Sequence, residues 1–209
     1  MEQKIPTPAS QIFPDRSASP AHQNPPKKTF WQSTLELVRF VAIVLAIVLP
    51  IRFFVVEPFI VNGASMDPTF ATGQFLMVDR LSYRLSSPDR GDVLVFKYPN
   101  NPKVYYIKRV IGLPGETVSI KEGRVTITNT AHPTGFMLAE PYIESVHASS
   151  DTSKTTLGIH EYFVMGDNRS QSSDSRVWGP LDATFIIGRP IVRIFPIQKA
   201  GILPGRFNE

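Results

Sequence analysis

The chain has 209 residues, 19% of them charged, no cysteine and a net charge of +4. The missing cysteines exclude a thiol nucleophile, a disulfide framework and a cysteine-ligated metal. Residues 1–52 hold six Lys/Arg against three Asp/Glu and residues 53–209 sixteen against fifteen. The body is therefore close to neutral and lacks the basic face that a nucleic-acid binder needs.

Residues 1–34 contain six prolines among Ser, Gln and Asn, with no apolar period, and read as a disordered tail. From Thr34 to Val61 the composition changes. Phe40 to Ile51 is free of charge, and Leu35–Val56 contains only Glu36, Arg39 and Arg52. A span needs about 20 residues, and the two arginines lie near the ends, where long side chains reach the interface. A buried core helix and a cleaved secretory signal compete with a membrane-spanning helix over 35–56. The signal reading requires a very long n-region and places Asn62 three residues before the cleavage point, a poor fit. The spanning helix is the favoured reading. Lys27, Lys28 and Arg39 precede it, which puts the N-terminus in the cytoplasm and the body outside.

The body, residues 57–209, reads as β-rich. Its segments QFLMVD (74–79), DVLVF (92–96), VYYIKRVI (104–111), TVSI (117–120), RVTIT (124–128), EYFVM (161–165) and IVRIF (191–195) are short and rich in β-branched and aromatic residues. Turn signals separate them. The expected fold is mainly β, an antiparallel, barrel-like sheet preceded by one N-terminal transmembrane helix. Residues 129–160 are polar and weakly patterned, a long loop or small insertion.

Three segments bear chemistry. In VNGASMDPTF (61–70), Ser65 sits between the turn pairs Asn62-Gly63 and Asp67-Pro68. A serine hydroxyl attacks only when a base takes its proton. None of His22, His132, His147 and His160 lies beside a strand-and-turn signature, and no G-x-S-x-G or H-E-x-x-H motif occurs. The other base is a lysine made neutral by burial. Lys108, in VYYIKRVIG, has apolar neighbours, and alternation puts Tyr106, Lys108 and Val110 on one face and Ile107 and Arg109 on the other. An exposed strand lysine is the plain alternative. In MGDNRSQSSDSRVWGP (165–180), Asp174 and Arg176 are spaced for a bidentate pair, against the plain alternative of a polar surface loop. Asn168-Arg169-Ser170 is also a formal glycosylation sequon.

Together, in order, the anchor, EPFIVNGASMDPTF, RGDVLVF, YYIKRVIGLPGE and GDNRSQSSDSRVWGP resemble type I signal peptidases, the membrane-bound Ser-Lys proteases. The resemblance covers about residues 35–195. It implies that Ser65 is the nucleophile and Lys108 the general base. It implies that Ser172 positions the lysine ammonium and that Asp174 and Arg176 form a supporting salt bridge. The implied substrate pockets are lined by Phe59, Val61, Met66, Phe70, Val95, Tyr106 and Ile107 and admit Ala-x-Ala ends. The implied oxyanion donors are the Ser65 backbone N–H and a second donor, for which Gly63, standing where many relatives carry serine, is the candidate. Ser170 replaces an aspartate of many relatives and has no assigned role. The implied partners are signal peptides of exported preproteins, membrane lipid and a nearby secretion translocon, at a bacterial plasma membrane, with no metal or cofactor. The alternatives are a self-cleaving repressor with the same dyad, disfavoured by the anchor, and a catalytically inactive anchored β-domain that binds exported chains.

Overall fold

The computed structural model describes residues 30–50, 55–144, 149–202 and 204–205. The chain divides into two compact units, residues 1–44 and 45–209. Helix α1 occupies Phe30–Pro50, so residues 30–34, expected in the tail, are helical. Residues 1–29 of the expected tail and 51–54 of the expected anchor lie outside the described residues. Among the described residues, no helix is long and apolar enough to cross a membrane.

Among the described residues the body holds twelve strands. They are β1 (Val56–Ile60), β2 (Phe75–Asp79), β3 (Val93–Tyr98), β4 (Asn101–Gly112), β5 (Thr117–Lys121), β6 (Arg124–Thr128), β7 (Phe136–Met137), β8 (Ser153–Thr156), β9 (Glu161–Met165), β10 (Leu181–Asp182), β11 (Ile186–Phe195) and β12 (Gly201–Ile202). The main sheet runs β1-β2-β11-β3-β4-β9-β10, with β12 on β11, and the second runs β7-β6-β5-β8. Every pairing is antiparallel. The barrel-like expectation needs correcting, because the main sheet is open. Its end strands β1 and β10 pair on one side each, and β10, two residues long, is too short to carry a closing ladder.

Side chains that alternate along β5 and β6 put Val118, Ile120, Val125 and Ile127 on one face, where they pack with Ile111, Leu157 and Phe163. The main sheet is filled around Leu94, Phe96, Val110, Val164 and Leu181. Each such fully buried side chain contributes about 1.5–3 kcal/mol. A third cluster, Val61, Met66, Phe70, Leu76 and Val93, lies where β1 leads into the Ser65 turn. Residues 129–160, read from sequence as a loop or insertion, contain β7 and β8.

Two register details place the site. Leu94 of β3 pairs with Lys108 of β4, and Arg109 of β4 pairs with Met165 of β9. Lys108 is therefore held in the middle of a sheet between two strands. Residue 166, where the loop of Asp167 and Asp174 begins, leaves β9 one residue beyond the partner of Arg109.

Candidate active site

Ser65 lies on a turn that two ladders pin. Val61 donates its N–H to Gln74 O at 2.9 Å, and Gly73 donates to Val61 O at 2.9 Å. Phe70 N–H donates to Met66 O at 2.8 Å, closing the turn on its far side. Met66 and Phe70 are 1% and 0% exposed and anchor the turn in the core. Gly63 takes φ +104°, a left-handed conformation that a side chain would strain. That lets the chain reverse and present a partly buried Ser65.

Lys108 Nζ stands 2.6 Å from Ser65 Oγ and donates to Ile107 O at 3.1 Å. The residue is 3% exposed. Burial pushes its pKa down to about 8 from 10.5; Asp174 and Asp167 oppose the shift and Arg176 adds to it. The ring of Tyr106 lies 5.1 Å from Nζ and stacks on Tyr98 at 4.6 Å, forming an aromatic wall beside the amine. An amine that sheds its proton near pH 8, in contact with a hydroxyl, can act as that hydroxyl's base.

A cleft of about 280 Å³ opens over the pair. Of the pocket residues expected from sequence, Phe59, Val61, Val95, Tyr106 and Ile107 line it. Met66 and Phe70 do not; they form the packed support under the turn. An apolar residue near a nucleophile suits wall and support equally, so sequence did not separate them. Asn62, Gln171 and Ser173 line the cleft as well and were not singled out.

The loop after β9 carries the remaining expected residues. Asp174 accepts both Arg176 Nε and Nη2 at 2.8 Å, and the Gly166 N–H at 3.0 Å. Burial raises the Asp174 pKa, but the Arg176 hydrogen bonds and charge outweigh it and hold the carboxyl below its ordinary range. Ser172 departs from expectation. Its Oγ is buried beside Gly166 and near the Asp174 carboxyl, while the hydrogen bonds of Lys108 Nζ go to Ser65 and Ile107. Asn168 N–H donates to Ser65 O at 3.1 Å, tying the loop to the Ser65 turn. The Gly63 N–H donates to Thr72 Oγ1 at 3.1 Å, so this candidate second oxyanion donor is already engaged. Ser170 Oγ donates to Asn168 Oδ1 at 3.0 Å and is exposed.

Sequence reasoning missed a fully buried ion pair. Arg109 donates to Asp167 through Nε at 2.9 Å and Nη2 at 2.6 Å, with both side chains 0% exposed, and to Gly91 O and Gly205 O through Nη1. The signal was present, since a charge inside an apolar strand must find a partner. Glu140 and Asp151, which bind Arg169 and Arg176, gave no signal at all. His132 and His160 are exposed and away from the cleft, and His22 and His147 lie outside the described residues. Among the described residues no group of three or more His, Cys, Asp or Glu could hold a metal.

Comparison with known proteins adds to this geometry. A family model described as signal peptidase, peptidase S26, matches residues 34–195. A probable signal peptidase I-1 of Synechocystis sp. is 38% identical over 87% of this chain and 92% of its own length. A probable signal peptidase I-2 of the same organism is 33% identical over 90% and 84%. A signal peptidase I of Leptolyngbya laminosa is 35% identical over 90% and 95%.

Proposed function

The chain belongs to the peptidase S26 family of signal peptidases, and on that premise we propose that it removes N-terminal signal peptides from exported preproteins, as a serine endopeptidase with Ser65 as nucleophile and Lys108 as base. The observation that carries the reading is the 2.6 Å approach of the buried Lys108 amine to Ser65 Oγ in an apolar cleft.

The substrate lies extended along β1. Among the described residues this strand pairs only with β2, which leaves its other edge to take an added strand, and Pro58 in it is tolerated at an edge. The small residues at the −1 and −3 positions of an Ala-x-Ala end enter the cleft beside Val95, Tyr106 and Ile107, where a longer side chain collides. Neutral Lys108 takes the Ser65 proton as Oγ attacks the carbonyl of the −1 residue. The Ser65 N–H faces the developing oxyanion. The lysine proton then goes to the leaving amine, and the ester to Ser65 remains. Water attacks that ester, giving up a proton to Lys108, which passes it to the departing Ser65 Oγ; the signal peptide's carboxylate leaves, and the hydroxyl and the neutral amine are restored. Asp174 and Arg176 support the loop beside the dyad. No metal or cofactor enters any step.

The membrane placement is part of the same proposal. The anchor is the apolar segment over 35–56, with the N-terminus cytoplasmic and the body outside, so that Ser65 follows it closely in sequence and meets signal peptides at the membrane surface, near the translocon. Ile60, exposed on β1, extends the apolar surface toward lipid. Carbonate extraction of membranes from expressing cells tests the anchor: a pelleted protein supports it, and a soluble one removes it.

The activity is tested by incubating the detergent-solubilised protein with a preprotein and sequencing the new N-terminus. Cleavage after an Ala-x-Ala end supports the reading. Binding without cleavage favours instead the anchored binding domain.

A further inference from the structure

Two carboxylates outside every motif hold the loop behind the dyad. Glu140 lies between β7 and β8, and Asp151 immediately before β8. Glu140 pairs with Arg169, and Asp151 pairs with Arg176. The two arginine side chains are 2% and 7% exposed, so each guanidinium is nearly out of water and depends on its counter-charge.

Both arginines lead to Gly166. Arg169 donates from Nε to Gly166 O at 2.9 Å. Arg176 grips Asp174 through two bonds, and Asp174 accepts the Gly166 N–H at 3.0 Å. Arg176 also donates from Nη2 to Arg169 O at 2.8 Å, which joins the two arms, and from Nη1 to Ser149 Oγ at 3.1 Å. Gly166 in turn sits against Ser65 O and Ser172 Oγ: a Cβ added there would stand 2.2 and 2.3 Å from them. Two residues on, Asn168 N–H holds Ser65 O.

A solvent-open groove of about 280 Å³ runs beside this loop, lined by Asp151, Ser153, Arg169, Ser172 and Arg176, among others. On this side the loop takes its position from the ionic arms. We infer that Glu140 and Asp151 are positioning residues for the Ser65–Lys108 dyad, acting through Arg169 and Arg176. Residues of the segment around the second sheet, with no contact to the cleft, thereby set the geometry of the nucleophile.

The inference rests on the signal peptidase reading, and the parent protein separates the two failures. The experiment measures kcat and KM for preprotein cleavage by the full chain and by Asp151→Asn, Asp151→Glu, Glu140→Gln and Glu140→Asp, with thermal unfolding of each. Asp151 is half-exposed, so Asp151→Asn keeps the fold even if Glu140→Gln does not. The expected result is a fall in kcat of about fivefold or more for Asp151→Asn, the size of a lost charge-assisted contact. KM and thermal midpoint stay unchanged, and Asp151→Glu restores most of the rate. Glu140→Gln loses more and Glu140→Asp recovers part of it. A parent that cuts while Asp151→Asn keeps its kcat overturns the inference alone, as does a loss that appears in KM or follows a lowered midpoint. A parent that never cuts overturns both readings.

Discussion

The carbonyl oxygen of Ser65 accepts the backbone N–H of Asn168 at 3.1 Å, so the turn that carries Ser65 is bonded to a loop about a hundred residues later in the chain. The contact passes over Gly166, whose missing side chain lets the two backbones approach. Lys108 reaches the hydroxyl of the same serine from the middle of the sheet. The site is therefore a junction of three segments, each fixed by a different part of the fold.

Gly166→Ala tests that junction. The added methyl would lie 2.2 Å from Ser65 O, a backbone atom that no rotamer change can move. The turn and the loop must separate, which costs about 1–3 kcal/mol of stability as overpacking. Misplacing Oγ relative to Lys108 lowers kcat by about 100-fold. Urea unfolding and cleavage kinetics on the same preparation measure both.

The buried lysine makes stability depend on pH. Its pKa is about 8 in the folded chain and 10.5 when unfolded. Below pH 8 the lysine is charged in both states, and the fold carries the whole penalty of burying that charge. Between about 8 and 10.5 the unfolded chain binds more protons, so stability rises with pH, and above 10.5 the penalty is gone. Lys108→Met, similar in shape and uncharged, is expected to raise stability by about 1–3 kcal/mol at pH 7. The gain should shrink as pH climbs past 8. Urea midpoints of the two proteins from pH 6 to 10 give the comparison.

The Arg109–Asp167 pair is expected to govern stability. Both side chains are fully buried, and Thr69 Oγ1 donates to the same carboxylate at 2.6 Å. Asp167→Asn leaves the guanidinium without its counter-charge and costs about 3–5 kcal/mol. The double replacement Arg109→Met with Asp167→Leu costs less than Asp167→Asn, because no charge is left stranded. A urea series on the three proteins decides it.

The strands with regular alternation, β2, β5 and β6, were plain in the sequence because one face of each is buried. β8 was not, since Ser153-Lys154-Thr155-Thr156 has no apolar face and pairs through its backbone. β1 was expected at 58–62 and forms two residues earlier, at Val56–Ile60, inside the apolar stretch that precedes the turn. At the site, Ser65 and Lys108 were legible for local reasons, a hydroxyl on a tight turn and a lysine among apolar neighbours. The support was less so. Glu140 and Asp151 reach Arg169 and Arg176 only through the folding of the second sheet, and no local pattern marks them. Ser172 was assigned by resemblance to the lysine, whereas the hydrogen bonds of Lys108 Nζ go to Ser65 and Ile107.

The central claim is that Ser65 and Lys108 act as one unit, and its most direct measurement is the rate of preprotein cleavage from pH 6 to 10 by the parent, Ser65→Ala and Lys108→Ala. The account predicts a parent rate that rises with pH through an apparent pKa near 8, the value burial gives Lys108, because only the neutral amine takes the proton. Both variants should be folded and inactive at every pH. A Lys108→Ala protein that still cuts, or a parent whose rate is flat across pH 8, would contradict it.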